Sequence, residues 1–233
     1  LAAFPVVLMG WASWSHSGTG HAALPDPRAV DKSVPEYKNP FHPSTYAHFV
    51  ARKDYRKTYD VYKDDTLLNR QPKKSRKIFV CLDEQRGQYL VDGLVAMDFP
   101  LSSGVKAYPT KTGDYAVISK KEDHASNLYG KMYDAEGKCI NYNAESTDPI
   151  PEGGRFDGSP MPYWQRLTNA GLGLHVGKVR RHPVSHGCVR LPRNVAEILY
   201  RQTSIGTPVT IQKTPLPVPE IQKVPAGQQH KGV

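Results

Sequence analysis

Gly171-Leu172-Gly173-Leu174-His175-Val176 and, after an interval of eight residues, Ser185-His186-Gly187-Cys188-Val189-Arg190-Leu191 carry most of what this chain says about itself. The first run alternates around apolar residues and ends on a histidine, which reads as a β-strand able to lie beside the cysteine segment. The second places a thiol directly after a glycine, two residues from one histidine and a short loop from another. A thiolate is the reactive form of cysteine, and an isolated thiol of pKa about 8.5 is mostly protonated at neutral pH, so a nearby base has to take its proton. Two histidines compete for that task. If Ser185–Cys188 is extended, His186 and Cys188 share a face; His175 reaches the thiol if the two segments pair. Gly187 lacks a Cβ, which frees the backbone around Cys188 to turn its N–H groups toward a developing oxyanion. The stretch is the outline of a cysteine nucleophile, and spacing alone does not choose its base.

Outward from that point, short β-rich segments bounded by turn residues follow one another: Lys77–Asp83, Gln88–Leu101, Gly113–Lys120, Met161–Thr168, Gly171–Val176 and Thr207–Gln212. Gln85-Arg86-Gly87 reads as a turn, and Asp92-Gly93 as a two-residue type I′ hairpin loop. Asn194–Gln202 is the one strong helix signal, with Asn194 as cap and Val195, Ile198 and Leu199 on one face. The class is mainly β, a sandwich or barrel-like domain with one or two short helices. Ahead of it, residues 26–76 are rich in proline, tyrosine and charge, with Tyr46, Tyr55, Tyr59 and Tyr62 near helical spacing, and are expected to pack on the main domain as an extension. Residues 213–233 carry four prolines and little that forms a core, and read as a flexible tail.

Ser185-His186-Gly187-Cys188-Val189-Arg190, with a histidine upstream, resembles the signature of the L,D-transpeptidases, the YkuD-like catalytic domain. Pro109-Thr110-Lys111-Thr112-Gly113-Asp114-Tyr115 resembles that family's Pro-Thr-Pro-x-Gly-x-Phe/Tyr hairpin, and Met161-Pro162-Tyr163-Trp164 its strand before the active-site histidine. The likeness runs from about residue 77 to 212. It implies Cys188 as nucleophile and His175 as general base, the histidine's second ring nitrogen held by a backbone carbonyl just after it. His186 and Ser185 become supporting residues, Gly187 an oxyanion backbone donor, and Arg190, Tyr163, Trp164 and Ser185 candidate substrate contacts. Arg190 either binds a stem carboxylate or anchors its own loop. The implied reaction is peptidoglycan L,D-transpeptidation: attack on a tetrapeptide stem, release of the terminal D-alanine and transfer of the acyl group to an amine, with no cofactor and no metal. An L,D-carboxypeptidase with the same residues, or a non-catalytic wall-binding module, are the rival readings. Two departures stand out. Lys111 replaces the hairpin's second proline, and a polar insertion at about 124–157 is longer than a minimal domain needs, an irregular loop suited to shaping a substrate groove.

The remaining features fit an exported protein. Residues 1–14 are apolar, uncharged and short for a bilayer, which reads as the core of a secretory signal within residues 1–25, cleaved after Ala12 or Ala22, or else as a retained anchor. Lys and Arg exceed Asp and Glu by 31 to 22, a net charge of +9, which suits anionic envelope polymers. The basic residues are scattered and match no nucleic-acid motif. Three cysteines leave one unpaired in any oxidised arrangement: Cys188 free, with Cys81 and Cys139 able to join the insertion to the sheet. His175, His182, His186 and Cys188 match no zinc spacing. There is neither a phosphate-binding glycine loop nor a serine elbow.

Overall fold

The computed structural model describes residues 24–71, 75–218 and 220–223; the expected signal segment with both cleavage sites, and the end of the tail, lie outside the described residues. Helix α1 (Tyr46–Ala51), strand β1 (Tyr62–Lys63) and helix α2 (Asp65–Leu68) come first, the helices capped by Thr45 and Asp64 side chains that accept from the His48 and Leu67 amides. Strands β2 (Arg76–Cys81), β3 (Arg86–Val91) and β4 (Leu94–Pro100) form a meander. After it come β5 (Gly113–Ala116), β6 (Ser119–Lys121), β7 (Ala125–Tyr133), β8 (Cys139–Glu145), β9 (Arg155–Pro160), β10 (Trp164–Arg166), β11 (Gly173–Val176), β12 (Val189–Leu191), α3 (Arg193–Gln202) and β13 (Pro208–Gln212).

They assemble into three sheets: six strands in the order β1-β4-β3-β2-β13-β5, four in the order β12-β11-β10-β6, and three in the order β8-β7-β9. The first two share a core in which Ile78, Val80, Tyr89, Met97 and Phe99 meet Leu174, Val189 and Leu191, closed by Val195, Ala196 and Leu199 of α3. Gly113–Lys120, expected as one strand, is two: β5 pairs with β13 in the large sheet and β6 with β10 in the four-stranded one, and buried Val117 marks the crossing. The type I′ hairpin is present, with φ of 50° at Asp92 and 78° at Gly93. The neighbouring turn is earlier than expected. It closes at Gln85, and Arg86 and Gly87 already belong to β3, where a Cβ on Gly87 would stand 2.3 Å from the Phe99 ring. Helix α3 starts at Arg193 on Pro192 with no side-chain cap, directly after β12 ends at Leu191, so Asn194 lies inside its first turn.

Strands β2 to β4 are buried along almost their whole length, because both faces of their sheet are covered. One faces the main core. Over the other lie Tyr46, Phe49, Val50 and Tyr55 of the extension, packed with Val95 and Val218. At its centre is a polar knot. Asp98, fully buried, accepts from Arg86 Nε, from the Tyr46 and Tyr55 hydroxyls at 2.7 and 2.9 Å, and from Gln88 at 3.4 Å. The Arg86 guanidinium also donates to the Thr58 and Asp60 carbonyls and lies 4.9 Å from the Tyr55 ring centroid. Arg28 forks onto Glu84 at 2.7 and 2.9 Å and reaches the Leu216 carbonyl. The first residues of the expected flexible tail are therefore held in place, with Val218 buried.

Two further expectations change. The insertion is not an irregular loop: β7, β8 and β9 form an antiparallel sheet, in which Gly130 lets β7 approach β9 so closely that a Cβ there would stand 2.1 Å from the Asp157 carbonyl. Its residues are mostly exposed on both faces, so its strands lack the apolar alternation that would announce them. Cys81 and Cys139 do not pair. Both are free thiols in different sheets, Cys81 buried in β2 with its Sγ donating to the Lys213 carbonyl at 3.0 Å, and Cys139 half-buried at the start of β8.

Candidate active site

Strands β11 and β12 run parallel, with Leu174 opposite Val189 and His175 opposite Arg190. Alternation then sorts the side chains. Leu174, Val189 and Leu191 enter the core, while His175, Arg190 and the residue just before the strand, Cys188, belong to the opposite face. There they line one cleft of about 380 Å³ together with Trp164 and Arg166 of β10 and residues of the β7–β9 sheet. The His175 ring is buried, and its Nδ1 donates to the Val176 carbonyl at 2.7 Å, which leaves Nε2 with the lone pair. The Cys188 thiol donates to the Gly171 carbonyl at 3.2 Å.

The loop that delivers Cys188 is fastened from behind by residues 102–110, of which the hairpin motif includes only Pro109 and Thr110. Ser102 exchanges backbone hydrogen bonds with Arg190, and its Oγ accepts from the Arg180 amide. The Ser103 carbonyl receives the Val184 and Ser185 amides. Thr110, buried within the hairpin motif, donates to the Gly187 carbonyl at 2.7 Å and accepts from the Gly104 amide at 2.8 Å. Gly104 and Gly187 pack backbone to backbone; a Cβ on Gly104 would lie 2.8 Å from the Gly187 Cα. Arg181 ties the same loop to the extension, donating to the Thr58 carbonyl at 2.7 Å and the Glu84 carbonyl at 2.9 Å.

Several expected roles shift with this geometry. Gly187 has φ 112°, so the segment is not extended and His186 and Cys188 do not share a strand face. His186 is instead exposed and stacked against Tyr129 of β7, ring centroids 4.3 Å apart, with Tyr108 at 4.8 Å. The Gly187 amide donates to Ser185 Oγ at 3.2 Å, and Ser185 Oγ donates to the Cys188 carbonyl at 2.5 Å. Ser185 thus shapes the loop from a buried position, and Gly187's N–H is already taken. Trp164 lines the cleft, 5.0 Å from the His124 ring and 5.9 Å from His175. Tyr163 does not; at φ 55° it turns away and packs on Tyr200 of α3, 5.5 Å between centroids. Arg190 does not anchor its loop through its guanidinium, whose aliphatic stem runs past Gly177, where a Cβ would meet it at 2.8 Å.

Burial sets the resting protonation. It pushes His175 down to about 4, against the pull of the Val176 hydrogen bond, with Arg190 and His124 adding to the descent. It pushes the Cys188 thiol up, opposed by a Gly173 backbone hydrogen bond and by Arg190. At neutral pH the pair is a neutral thiol beside a neutral imidazole. Iodoacetamide labelling of Cys188 should therefore be slow at pH 7 and rise about tenfold per pH unit up to pH 9, since only the thiolate reacts. The acid limb of any Cys188-dependent acylation should fall near pH 4, where His175 gains its proton, and not near the ordinary histidine value of about 6.5. A labelling plateau below pH 8 would contradict this assignment.

The family model described as the YkuD L,D-transpeptidase catalytic domain matches residues 75–211. A Mycobacterium tuberculosis protein described as probable L,D-transpeptidase 3 is 31% identical over 121 residues, which cover 49% of this chain and 38% of that protein. Among solved structures, an L,D-transpeptidase from Mycobacterium smegmatis is 22% identical with a TM-score of 0.45, covering 59% of this chain and 58% of that one. The catalytic domain of the Enterococcus faecium L,D-transpeptidase is 28% identical with a TM-score of 0.43, covering 60% of this chain and 98% of that one. This chain thus spans about two fifths of the length of the curated relative it matches.

Proposed function

Taking as premise that this chain belongs to the YkuD L,D-transpeptidase catalytic domain family, whose model covers residues 75–211, we propose that it is a peptidoglycan L,D-transpeptidase acting through a thioester on Cys188. The observation that supports this most is the shared cleft of Cys188 and His175 on adjacent parallel strands, with His175 Nδ1 fixed by Val176 and Nε2 left to accept a proton.

In this reading the Cys188 sulfur attacks the carbonyl of the third stem residue while its proton passes to His175 Nε2. The tetrahedral oxyanion is held by the Cys188 amide, since the Gly187 amide is engaged by Ser185. Collapse breaks the amide to D-alanine, whose nitrogen leaves with the proton from His175. An acceptor amine then attacks the thioester, gives a proton to neutral His175, and the thiolate departs to be reprotonated. A base with pKa about 4 is weak, so the proton leaves as the sulfur attacks, and the negative charge develops on the carbonyl oxygen without a free thiolate in the buried cleft. The β7–β9 sheet forms one wall of that cleft, and Tyr129 on His186 joins the wall to the cysteine loop.

The setting follows from the substrate: the cell-wall side of the envelope, where the net charge of +9 favours an anionic polymer. Among the described residues no helix is long and apolar enough to cross a membrane. Intact-protein mass spectrometry of the full chain with a disaccharide-tetrapeptide provides the test. An acyl adduct mapped to the Cys188 peptide, followed by a cross-linked dimer when acceptor stem is present, is expected. Tripeptide alone, with or without acceptor, would replace the transpeptidase by the carboxypeptidase reading.

A further inference from the structure

The cleft around Cys188 contains three cationic side chains, Arg166, Lys178 and Arg190, and neither an aspartate nor a glutamate among its lining residues. None of the three side chains makes a hydrogen bond or an ion pair with a protein group among the described residues. This contrasts with Arg28, Arg52, Arg70 and Arg86 elsewhere, each of which is paired with a carboxylate. Arg166 and Arg190 are also half-buried, where an uncompensated charge is costly.

Their placement follows from three neighbouring strands of the four-stranded sheet, β10, β11 and β12. Arg190 stands opposite His175 in the β11–β12 register, and Arg166 stands two residues beyond Trp164 on β10, on the cleft-facing side. Lys178 follows β11 by two residues. Burial and Cys188 are what the Arg190 guanidinium senses, with no acidic neighbour contributing, and Arg166 is close enough to depress His124. The cations therefore line the same cleft as Cys188 and His175. A cleft that holds three unpaired cations beside its nucleophile meets their missing counter-charges in its ligand.

We propose that the donor site selects a stem whose diamino acid carries a free second carboxylate, in preference to one in which that carboxylate is amidated or missing. This rests on the transpeptidase reading and specifies its substrate. The diamino acid is the residue whose carbonyl becomes bonded to Cys188 Sγ, so its side chain has to enter this cleft, whereas the terminal D-alanine carboxylate leaves. Free carboxylates at the glutamyl residue, the diamino acid and the terminal D-alanine would match the three cations, and the diamino acid's is the one retained on the enzyme. Charge-assisted bonds from arginine to such a carboxylate are the strong, geometrically selective kind.

The test compares thioester formation by the full chain with two tetrapeptide donors identical except for amidation of that one carboxylate. The free donor should acylate Cys188 at least about tenfold faster, as kcat/KM, and the ratio should shrink in 0.5 M salt as screening weakens the pairing. In Arg166→Gln, and separately in Arg190→Gln, the ratio should fall toward one; a mere loss of fold would lower both rates and leave the ratio alone. Equal rates for the two donors in the unmutated protein would overturn the charge selection and leave the transpeptidase reading standing. Failure of either donor to form a thioester would remove that reading, and this inference with it.

Discussion

Cys188→Ala should form no acyl adduct and should lower transfer to background, a loss on the order of 10^4-fold or more, as expected when a covalent nucleophile is removed. His175→Ala should retain the thiol but lose about 10^3-fold in acylation rate, the usual worth of a positioned base. The contrast with His186→Ala carries the assignment. His186 is exposed, stacked on Tyr129 and tilted against Tyr108, so its loss should loosen the β7–β9 wall and slow acylation by no more than about tenfold. Stopped-flow acylation by a carbapenem, followed by intact mass, measures all three. A dead His186→Ala beside a His175→Ala that acylates normally would reverse the roles. The pH profile adds an independent reading, because the acid limb near pH 4 belongs to His175 and should vanish with it.

The second large effect lies away from the chemistry. Asp98→Ala removes the carboxylate at the centre of a buried cluster, leaving the Arg86 charge unpaired and Arg86 Nε and the Tyr46 and Tyr55 hydroxyls without their acceptor. Breaking one side of a buried ion pair costs about 3–5 kcal/mol, so urea denaturation should show a large fraction, about a third to a half, of a typical stability gone. Because the charge left behind causes the loss, Asp98→Leu combined with Arg86→Met should recover much of it, despite the loss of a further ion. An Asp98→Ala protein as stable as the unmutated chain would mean that the cluster is solvated and not sealed.

The placement of Cys188 and His175 in one cleft was readable because its information is local. Gly-Cys, the flanking motif and an upstream histidine at the end of an alternating run place both groups on paired strands, and the structure pairs them with His175 opposite Arg190. What the sequence concealed depends on long-range contacts. Nothing local distinguishes Arg190, bare in the cleft, from Arg86, which is paired with Asp98; the partner or its lack appears only when distant strands meet. Tyr163 and Trp164 looked equivalent, and a positive φ at Tyr163 sends one to α3 and the other to the cleft. The insertion hid its strands because a sheet wet on both faces needs no apolar alternation. The helix cap was misread because Pro192 begins the helix directly after β12, where no capping side chain is used.

The likeness to the family begins at residue 75, but the second face of the sheet built there is finished by Tyr46, Phe49, Val50 and Tyr55 from upstream, around a carboxylate that draws its hydroxyl donors from Tyr46 and Tyr55. Arg181, in the loop before Cys188, holds onto the same upstream piece. Common descent and cooperative folding therefore divide this chain at different places. A fragment of this chain cut at residue 75 would carry Cys188 and His175 and leave the back wall of their domain behind.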